Sequence, residues 1–256
     1  MCVIFFAYKV HSKYDLILAA NRDEFFDRPA GKASFWSDAP DILAGRDLKE
    51  GGTWLGVTKT GRLAGLTNFR NPKKRKKSAS SRGEILKNFL ENQTKSQPFM
   101  DQLTKKIEQY NDFNLLLKEQ EEFYYYSSLR GKGEKLNPGI YGLSNHFIDT
   151  PWPKVVSGKE KLSQIISMAT SKNLPESLFF LLKDKSDPIE KNLPQTGLTL
   201  EWEKILAPIF VANPVYGTRA STIILFDKQK RISFWEKTFN EKQEEVEKVN
   251  FKFKFS

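Results

Sequence analysis

The sequence contains few of the residues that form disulfides and metal centres. Its 256 residues include a single cysteine, Cys2, and two histidines, His11 and His146. One cysteine excludes an internal disulfide and gives no sign of an oxidising compartment. No Cys/His spacing typical of a zinc site occurs either. We therefore predict that the protein requires no metal and no resident cofactor.

Long hydrophobic runs are missing as well. The longest stretch without a charged residue, Ile205–Thr218, has 14 residues and contains two prolines. A membrane-spanning helix needs about 20 apolar residues, so we predict no transmembrane segment. The residues after Met1 lack the basic start and the small-residue cleavage site of a secretory signal. These absences predict a cytoplasmic location.

Positive charge is abundant but local. The 41 Lys and Arg residues exceed the 31 Asp and Glu residues, and six of the basic residues stand between Arg70 and Lys77. Such a run is typical of an exposed, mobile loop, although it could also bind coenzyme phosphates or an acidic membrane surface. No phosphate-loop or dinucleotide-binding motif occurs, and no RNA-recognition motif accompanies the run. We therefore expect no specific nucleic-acid partner.

Apolar and aromatic periodicity predicts four β-hairpins and a C-terminal strand. The paired segments are Val3–Val10 with Asp15–Ala20, Thr53–Thr58 with Arg62–Thr67, Phe113–Leu117 with Glu122–Ser127, and Ser221–Phe226 with Arg231–Glu236. Between Asn250 and Ser256, phenylalanines alternate with other residues, which is typical of a half-buried strand. In the second hairpin, Gly61 supplies the positive φ that a tight turn requires.

Four helices are predicted between these strands. The first follows the capping-box pattern Ser81-Arg82-Gly83-Glu84, and the others cover Pro98–Tyr110, Lys159–Ala169 and Pro175–Leu182. Hairpins dominate, helices come in consecutive pairs, and parallel βαβ units are not evident. This order predicts an α+β fold of antiparallel sheets with helices on their faces. Because the elements interleave from end to end, we expect one domain over residues 1–256.

Cys2 is the first candidate for chemistry. Removal of the initiator methionine would place a thiol and a free α-amino group on the same residue. The amine has an ordinary pKa of about 7.7–8.0 and can act as a base, and a thiolate is a strong nucleophile. This combination is the N-terminal form of nucleophilic catalysis. The alternative is an inert cysteine at the start of a buried strand.

The charged cluster Asn21-Arg22-Asp23-Glu24 follows the second predicted strand. Because the first two strands form a hairpin, we expect this cluster to return to the end of the pair that carries Cys2. An arginine there lowers the pKa of a thiol, and a carboxylate there orients the amine. We therefore expect Cys2 to be a thiolate near neutral pH.

Three further residues could serve the same chemistry. Asn68 and Asn145 stand at strand ends, where an amide N–H can stabilise a developing oxyanion, an effect worth roughly 3–4 kcal/mol. Ordinary turn chemistry is the alternative for both. Arg219 stands before a strongly apolar strand, as either a substrate clamp or a surface residue.

Several segments together match one known family in order. They are Asn21-Arg22-Asp23-Glu24, Ala44-Gly45-Arg46-Asp47-Leu48, Gly51-Gly52-Thr53-Trp54-Leu55-Gly56-Val57, Leu66-Thr67-Asn68, Phe113–Leu117, Tyr141-Gly142-Leu143-Ser144-Asn145 and Gly217-Thr218-Arg219. On these residues the chain resembles the NRDE family, the family of transport and Golgi organisation protein 2. The likeness covers essentially the whole chain as a single NRDE-type domain.

The resemblance implies a fold like that of the N-terminal nucleophile hydrolases, a four-layer αββα sandwich with two antiparallel sheets between two helical layers. Penicillin V acylase and bile salt hydrolase are cysteine members of that superfamily. Their pattern, carried onto this chain, gives the site residues Cys2, Arg22, Asp23 or Glu24, Asn68, Asn145 and Arg219. The family is linked to haem mobilisation and to lipid and acyl-coenzyme A metabolism.

We therefore expect an N-terminal cysteine hydrolase or acyltransferase that acts through Cys2 on a small-molecule amide, ester or thioester. The alternative is a non-catalytic carrier or trafficking protein that holds haem or an acyl-coenzyme A as its ligand. A papain-like pair of Cys2 with His146 is a third hypothesis. The substrate, the choice between Asp23 and Glu24, and the oligomeric state stay open.

Overall fold

The computed structural model describes residues 2–74, 76 and 78–255. Within these ranges the chain forms thirteen strands and five α-helices. The strands are β1 (Cys2–Tyr8), β2 (Tyr14–Phe25), β3 (Ala30–Phe35), β4 (Ile42–Asp47), β5 (Leu55–Thr58), β6 (Leu63–Asn68), β7 (Phe113–Glu119), β8 (Glu122–Ser127), β9 (Lys132–Lys135), β10 (Gly139–Leu143), β11 (Tyr216–Asp227), β12 (Arg231–Phe239) and β13 (Glu245–Lys254). The helices are α1 (Gly83–Glu91), α2 (Ser96–Thr104), α3 (Pro153–Met168), α4 (Leu174–Leu182) and α5 (Leu200–Ile205).

Internal contacts divide the chain into two compact units. The first contains Met1–Asp27, Pro138–Ser144 and Ile148–Lys252, and the second contains Arg28–Asn137, Asn145–Phe147 and Phe253–Ser256. One antiparallel sheet has the order β10-β1-β2-β11-β12-β13, and the other runs from β3 to β9 in sequence order. The predicted α+β class with two antiparallel sheets is confirmed. The single domain stays a prediction.

In the first unit, α3 and α4 cover one face of the sheet. The side chains at Val3, Phe5 and Ala7 join those of both helices in one buried core. Successive residues of a strand point to opposite faces, so these odd-numbered positions mark the helix side of β1. Gly158 of α3 lies directly over the ring of Phe5, where an added Cβ would stand 2.1 Å from the ring. The absence of a side chain at Gly158 therefore sets how closely α3 approaches β1.

In the second unit, the seven strands pair in sequence order, and the connection from β6 to β7 carries α1 and α2. The turn between β5 and β6 contains Gly61 at φ +80°, as predicted. Helix α1 packs across β5, where Gly56 lies against Leu90. Beside it, the buried Arg62 stacks on the Phe89 ring at 3.9 Å and pairs with Glu119 at 3.2 Å. These contacts fix the helices of this unit to its sheet.

All four predicted hairpins are present, but several strands are longer than predicted, β2 and β11 most of all. The cluster Asn21–Glu24 does not follow β2 but lies inside it, because the far end of β2 pairs with β11. Arg219 likewise lies inside β11 rather than before the strand, at an irregularity between Thr218 and Ala220. Hydrogen bonding by the neighbouring strand allows these charged residues to remain extended.

The helix predictions need three corrections. The capping box is wrong, because α1 begins after Arg82, which makes no side-chain capping bond. The segment Pro98–Tyr110 is α2 from Ser96 to Thr104 followed by a short 3-10 turn at Ile107–Gln109. Helix α3 begins at Pro153, a residue well suited to a first helical turn. The prediction for Pro175–Leu182 is confirmed by α4.

The basic run is only partly exposed. Lys73, Lys74 and Lys76 are exposed, whereas Arg70 is buried and its backbone N–H donates to the carbonyl of Asn145 at 2.7 Å. Arg75 and Lys77 lie outside the described residues. The view of the whole run as a surface loop is therefore wrong at Arg70, because that residue continues from β6 into the second unit's interior. Among the helices that the structure describes, none is long and apolar enough to cross a membrane.

Candidate active site

Cys2 is held by three strands of the first unit. It is the first residue of β1 and lies directly opposite Arg22 of β2. Opposed residues of an antiparallel pair share a face, so these two side chains lie on the same side of the sheet. On the other flank, the Ser144 hydroxyl just beyond β10 donates to the Cys2 carbonyl at 3.1 Å. The expected return of the charged cluster to the Cys2 end of the hairpin is confirmed.

Asp23 points to the opposite face, on the side of α3 and α4. It is buried with 1% exposure, whereas Glu24 is half-buried and accepts from the Phe25 backbone N–H. One Asp23 oxygen accepts from the Thr218 hydroxyl at 2.7 Å, and its carbonyl accepts from the Tyr216 hydroxyl at 2.8 Å. Of the two acids left open by the sequence, Asp23 is the one fixed in the interior.

Burial dominates the titration of Asp23. It raises the pKa of this carboxyl above its ordinary value, and it outweighs the positive N-terminus, Lys154, the Thr218 hydrogen bond and Arg22, all of which lower the pKa. A buried carboxylate beside the start of the chain is suited to holding an amine in place through its charge.

The pKa of the Cys2 thiol is shifted in the direction opposite to the one predicted. Although the residue keeps some accessible surface, the packing around it raises the pKa of the thiol above its ordinary value. The positive N-terminus, Arg22 and a hydrogen bond from the Asp23 backbone lower this pKa, but burial prevails and the Asp23 carboxylate adds to the increase. The prediction of a thiolate near neutral pH is therefore wrong. The direction of the shift favours the protonated thiol.

Arg219 is bound to the backbone that follows β2. Its Nη1 donates to the carbonyl of Phe25 at 2.8 Å and to that of Phe26 at 3.3 Å, and the guanidinium stands 5.1 Å from the centre of the Phe26 ring. Burial and the nearby Arg22 lower its pKa. The structure thus fixes Arg219 to the end of the charged cluster, next to Arg22.

Asn68 and Asn145 meet in the second unit. The buried Asn145 donates its side-chain amide to the Asn68 carbonyl at 2.9 Å. The Asn114 amide donates to the His146 carbonyl at 2.9 Å and so holds the backbone that follows Asn145. One amide hydrogen of Asn145 is therefore engaged in positioning Asn68, the last residue of β6. The roles of Asn68 and Asn145 in catalysis stay predictions.

His146 belongs to an aromatic cluster in the same unit. Its ring lies 4.7 Å from that of Phe69 and 4.9 Å from that of Phe147, measured between centres. Burial lowers its pKa, which favours the neutral imidazole. The papain-like hypothesis for this residue stays untested.

Comparison with known proteins gives the family. A family model of Transport and Golgi organisation 2 matches residues 1–241 of the chain. The chain belongs to the Transport and Golgi organisation 2 family. The Bos taurus homolog of Transport and Golgi organization protein 2 is 36% identical over 259 residues, which cover 93% of each chain. The Homo sapiens homolog is 35% identical over 263 residues, 94% of each chain. The family predicted from the sequence is confirmed.

Among solved structures, the mutant C2A conjugated bile acid hydrolase from Clostridium perfringens is similar to this chain. The TM-score is 0.50 at 8% identity, and the similarity covers 98% of this chain and 92% of that chain. At this identity the likeness shows the fold alone, which is like that of the N-terminal nucleophile hydrolases. This part of the prediction is also confirmed.

In this member of the family, the sequence did not point to several residues around Cys2 and Asp23. They are Ser144, Lys154, Tyr216 and Thr218. Ser144 and Thr218 directly precede Asn145 and Arg219 in two of the segments that match the family. This adjacency is the sequence feature that could have pointed to them. Lys154 carried no signal, because its contacts lie more than fifty residues away in sequence.

Proposed function

We propose that this protein is an N-terminal cysteine hydrolase or acyltransferase that acts on a linear amide, ester or thioester of a small molecule. The observation that carries the proposal is the register that sets Cys2 opposite Arg22, one residue from the buried Asp23. The hydrolase-like fold supports it, and so does the C2A mutation of the similar bile acid hydrolase, which replaces a cysteine at position 2 of that protein.

The chemistry begins with Met1 removed, which leaves the α-amine on Cys2. The Cys2 sulfur forms a bond to the substrate carbonyl carbon while its proton passes to this amine, and the carbonyl oxygen becomes an oxyanion. When the carbonyl re-forms, the bond to the leaving nitrogen, oxygen or sulfur breaks, and the leaving group takes the proton from the ammonium. The product of this half-reaction is a thioester on Cys2.

Hydrolysis completes the cycle. Water attacks the thioester carbonyl and gives a proton to the α-amine, and the sulfur then departs and takes that proton back. In the acyltransferase form of the reaction, an acceptor hydroxyl, amine or thiol replaces water. Because the thiol pKa is raised, transfer of the thiol proton to the amine accompanies the attack by sulfur rather than preceding it.

The surrounding residues have separate tasks in this proposal. Arg22 stabilises negative charge on the sulfur from the same face of the sheet. Asp23 holds the ammonium form of the terminal amine through its charge. Arg219 keeps the end of the cluster in place. Asn68 and Asn145 keep the oxyanion and substrate roles that the resemblance implies, and their alanine variants test these roles by their effect on rate.

A single-turnover experiment tests the proposal. The purified protein is mixed with an activated thioester, and the intact mass is followed for an acyl adduct. Wild-type protein should gain one acyl group on Cys2, whereas Cys2→Ala and a form with a lysine inserted between Met1 and Cys2, which blocks removal of Met1, should gain none. Turnover by Cys2→Ala at the wild-type rate would exclude Cys2 as the nucleophile.

A carrier for haem or an acyl-coenzyme A is the second candidate, and the raised pKa of the Cys2 thiol favours it. A protonated, packed thiol is poorly reactive unless the amine is available. If no acyl adduct forms in wild type while haem or an acyl-coenzyme A binds with a Kd of about 1 μM, near −8 kcal/mol, the carrier hypothesis replaces the enzyme hypothesis.

We further propose a cytoplasmic location, which cell fractionation tests.

A further inference from the structure

We propose that Lys154 is a positioning residue for this reaction, which holds the buried loop 206–211 and, through that loop, Asp23. The inference rests on the proposed function, because it concerns the acid that serves the Cys2 amine. It assigns a task to a buried lysine and to the uncharged stretch of sequence, neither of which the mechanism has used so far.

The loop 206–211 is irregular backbone in the interior of the first unit. It follows α5, and its residues are all buried. Buried backbone carbonyls need hydrogen-bond donors, and loops are commonly found at the surface for that reason. The loop therefore depends on donors from other elements, and these donors determine where it lies.

Lys154 supplies the first of these donors from α3. Its side chain is 5% exposed, and its Nζ donates to the Leu206 carbonyl at 2.7 Å and approaches the Pro208 carbonyl at 3.5 Å. The amide of Asn21 supplies the next, to the Ile209 carbonyl at 2.9 Å. Both donors lie on the helix side of the sheet, the side to which Asp23 points.

The far end of the loop closes on Asp23 through Thr218. The Val211 backbone N–H donates to the Thr218 hydroxyl at 2.9 Å, and the Thr218 backbone N–H donates back to the Val211 carbonyl at 3.0 Å. The same hydroxyl donates to Asp23 at 2.7 Å. Hydrogen bonds at both ends of the loop, joined by its backbone, thus connect Lys154 with Thr218 and Asp23.

The positive charge of Lys154 indicates that this residue does more than hold the loop in place. A neutral donor would satisfy the Leu206 carbonyl equally well and would cost less to bury, because a buried ammonium needs a compensating charge. Three positive charges act on Asp23, those of the N-terminus, Lys154 on α3 and Arg22 on the other face of β2, and the Thr218 hydroxyl on β11 donates to it. The ammonium lowers the pKa of Asp23, so it acts on the acid by charge as well as by position.

Lys154→Met tests the inference, with Lys118→Met as the matched control. Lys118 is also buried, at 3% exposure, and donates to the Gln120 carbonyl, but it belongs to the second unit. Two quantities are measured in both variants: the rate of Cys2 acylation against pH, and the titration of the Asp23 carboxyl by carbon-13 NMR. The Asp23 titration needs no substrate. It therefore tests the effect of Lys154 on Asp23 even if the wild type forms no acyl enzyme.

We expect Lys154→Met to slow acylation roughly 10- to 100-fold, the size of effect that a small misplacement of a reacting group produces. Asp23 should titrate at a higher pH than in wild type. Lys118→Met should lose stability but leave both quantities unchanged. If Lys154→Met does not fold, Lys154→Gln takes its place, because glutamine retains a donor for the Leu206 carbonyl. Its Asp23 carboxyl should also titrate at a higher pH than in wild type.

An unchanged Asp23 titration in Lys154→Met or Lys154→Gln would overturn the inference, whatever the loss of stability. Equal effects of the Lys154 and Lys118 variants on the pH profile would also overturn it. Absence of acylation in wild type, together with a shifted Asp23 titration, would instead count against the proposed function and leave the positioning of Asp23 by Lys154 supported.

Discussion

Thr218 shows how much depends on one hydroxyl near the proposed site. It accepts a hydrogen bond from Val211 and donates one to Asp23, so Thr218→Val keeps the shape but removes both. We expect a loss of about 1–3 kcal/mol in unfolding free energy, typical for buried groups that lose a partner. The pKa of Asp23 should rise further, because the hydroxyl lowers it.

Thr222→Val is the control for this variant. Thr222 is equally buried on β11, and its hydroxyl bonds Glu236 at 3.1 Å instead. Urea denaturation should give similar losses for both variants, whereas NMR should show a changed Asp23 titration only for Thr218→Val. A similar change in both would mean that the Asp23 titration reports general loosening of β11.

Asp23 also makes stability depend on pH with a defined sign. Its pKa is raised above 3.8 in the folded state, so the folded protein holds the proton more tightly than the unfolded chain does. The resulting stabilisation is complete below the unfolded pKa and disappears as pH rises through the folded pKa. Asp23→Asn does not titrate, so its stability relative to wild type should increase as pH rises from 3.8 toward the folded pKa.

Asp227→Asn should show the opposite sign in the same unfolding series. Although Asp227 is buried, its hydrogen bonds from Arg231 lower its pKa. Wild type therefore gains stability relative to Asp227→Asn as pH rises toward 3.8. If the stability difference between wild type and Asp23→Asn were independent of pH, the raised pKa of Asp23 would be contradicted.

At the residue level, the sequence predicted contacts that depend on a neighbouring element. Cys2 and Arg22 could be brought together because a hairpin returns on itself within twenty residues. Thr218 and Asp23 are 195 residues apart, and their contact depends on β11 pairing with β2. The thiol pKa was mispredicted for a related reason, since the charges around Cys2 are visible in the sequence whereas its burial is not.

Helix α3 and strand β1 meet at Gly158, which allows a test at the scale of elements. Alanine is a better helix former than glycine, yet its Cβ would stand 2.1 Å from the Phe5 ring. We expect Gly158→Ala to lower the unfolding free energy by about 1–3 kcal/mol, as overpacking of a core does.

The Phe5→Leu variant tests whether the Phe5 ring causes the destabilisation by Gly158→Ala. In a Phe5→Leu protein the ring is gone, so Gly158→Ala should cost less than in wild type, and the two changes should be non-additive. Calorimetry of the four proteins measures this coupling. Strict additivity would show that Gly158 does not control the distance between α3 and β1.

Element boundaries could be predicted where periodicity was strong and local. The hairpin of β7 and β8 is correct because a run of leucines and a run of aromatic residues flank a short turn. The ends of β2 and β11 were missed because charged residues there are held extended by each other's backbone. Strand β3 was missed because its exposed glycine- and lysine-containing sequence has little apolar alternation.

At the scale of the whole molecule, the excess positive charge should contribute little to stability. Lys73, Lys74 and Lys76 are exposed, and Lys76 pairs with Glu108 at the surface. Replacing these three lysines by glutamine should leave the melting temperature nearly unchanged in calorimetry. Arg70→Gln is the contrast, because that residue is buried and should lower the melting temperature. Equal effects of the two changes would contradict the burial of Arg70.

The central claim is that Cys2, with its own amine, carries an acyl group. The most direct measurement is the intact mass of the purified protein before and after one addition of an activated thioester, with peptide mapping of the adduct. We predict a starting mass without Met1 and a gain of one acyl group on Cys2 that disappears with time as water releases it. A starting mass without Met1 that shows no gain, or a gain on any other residue, would contradict the claim.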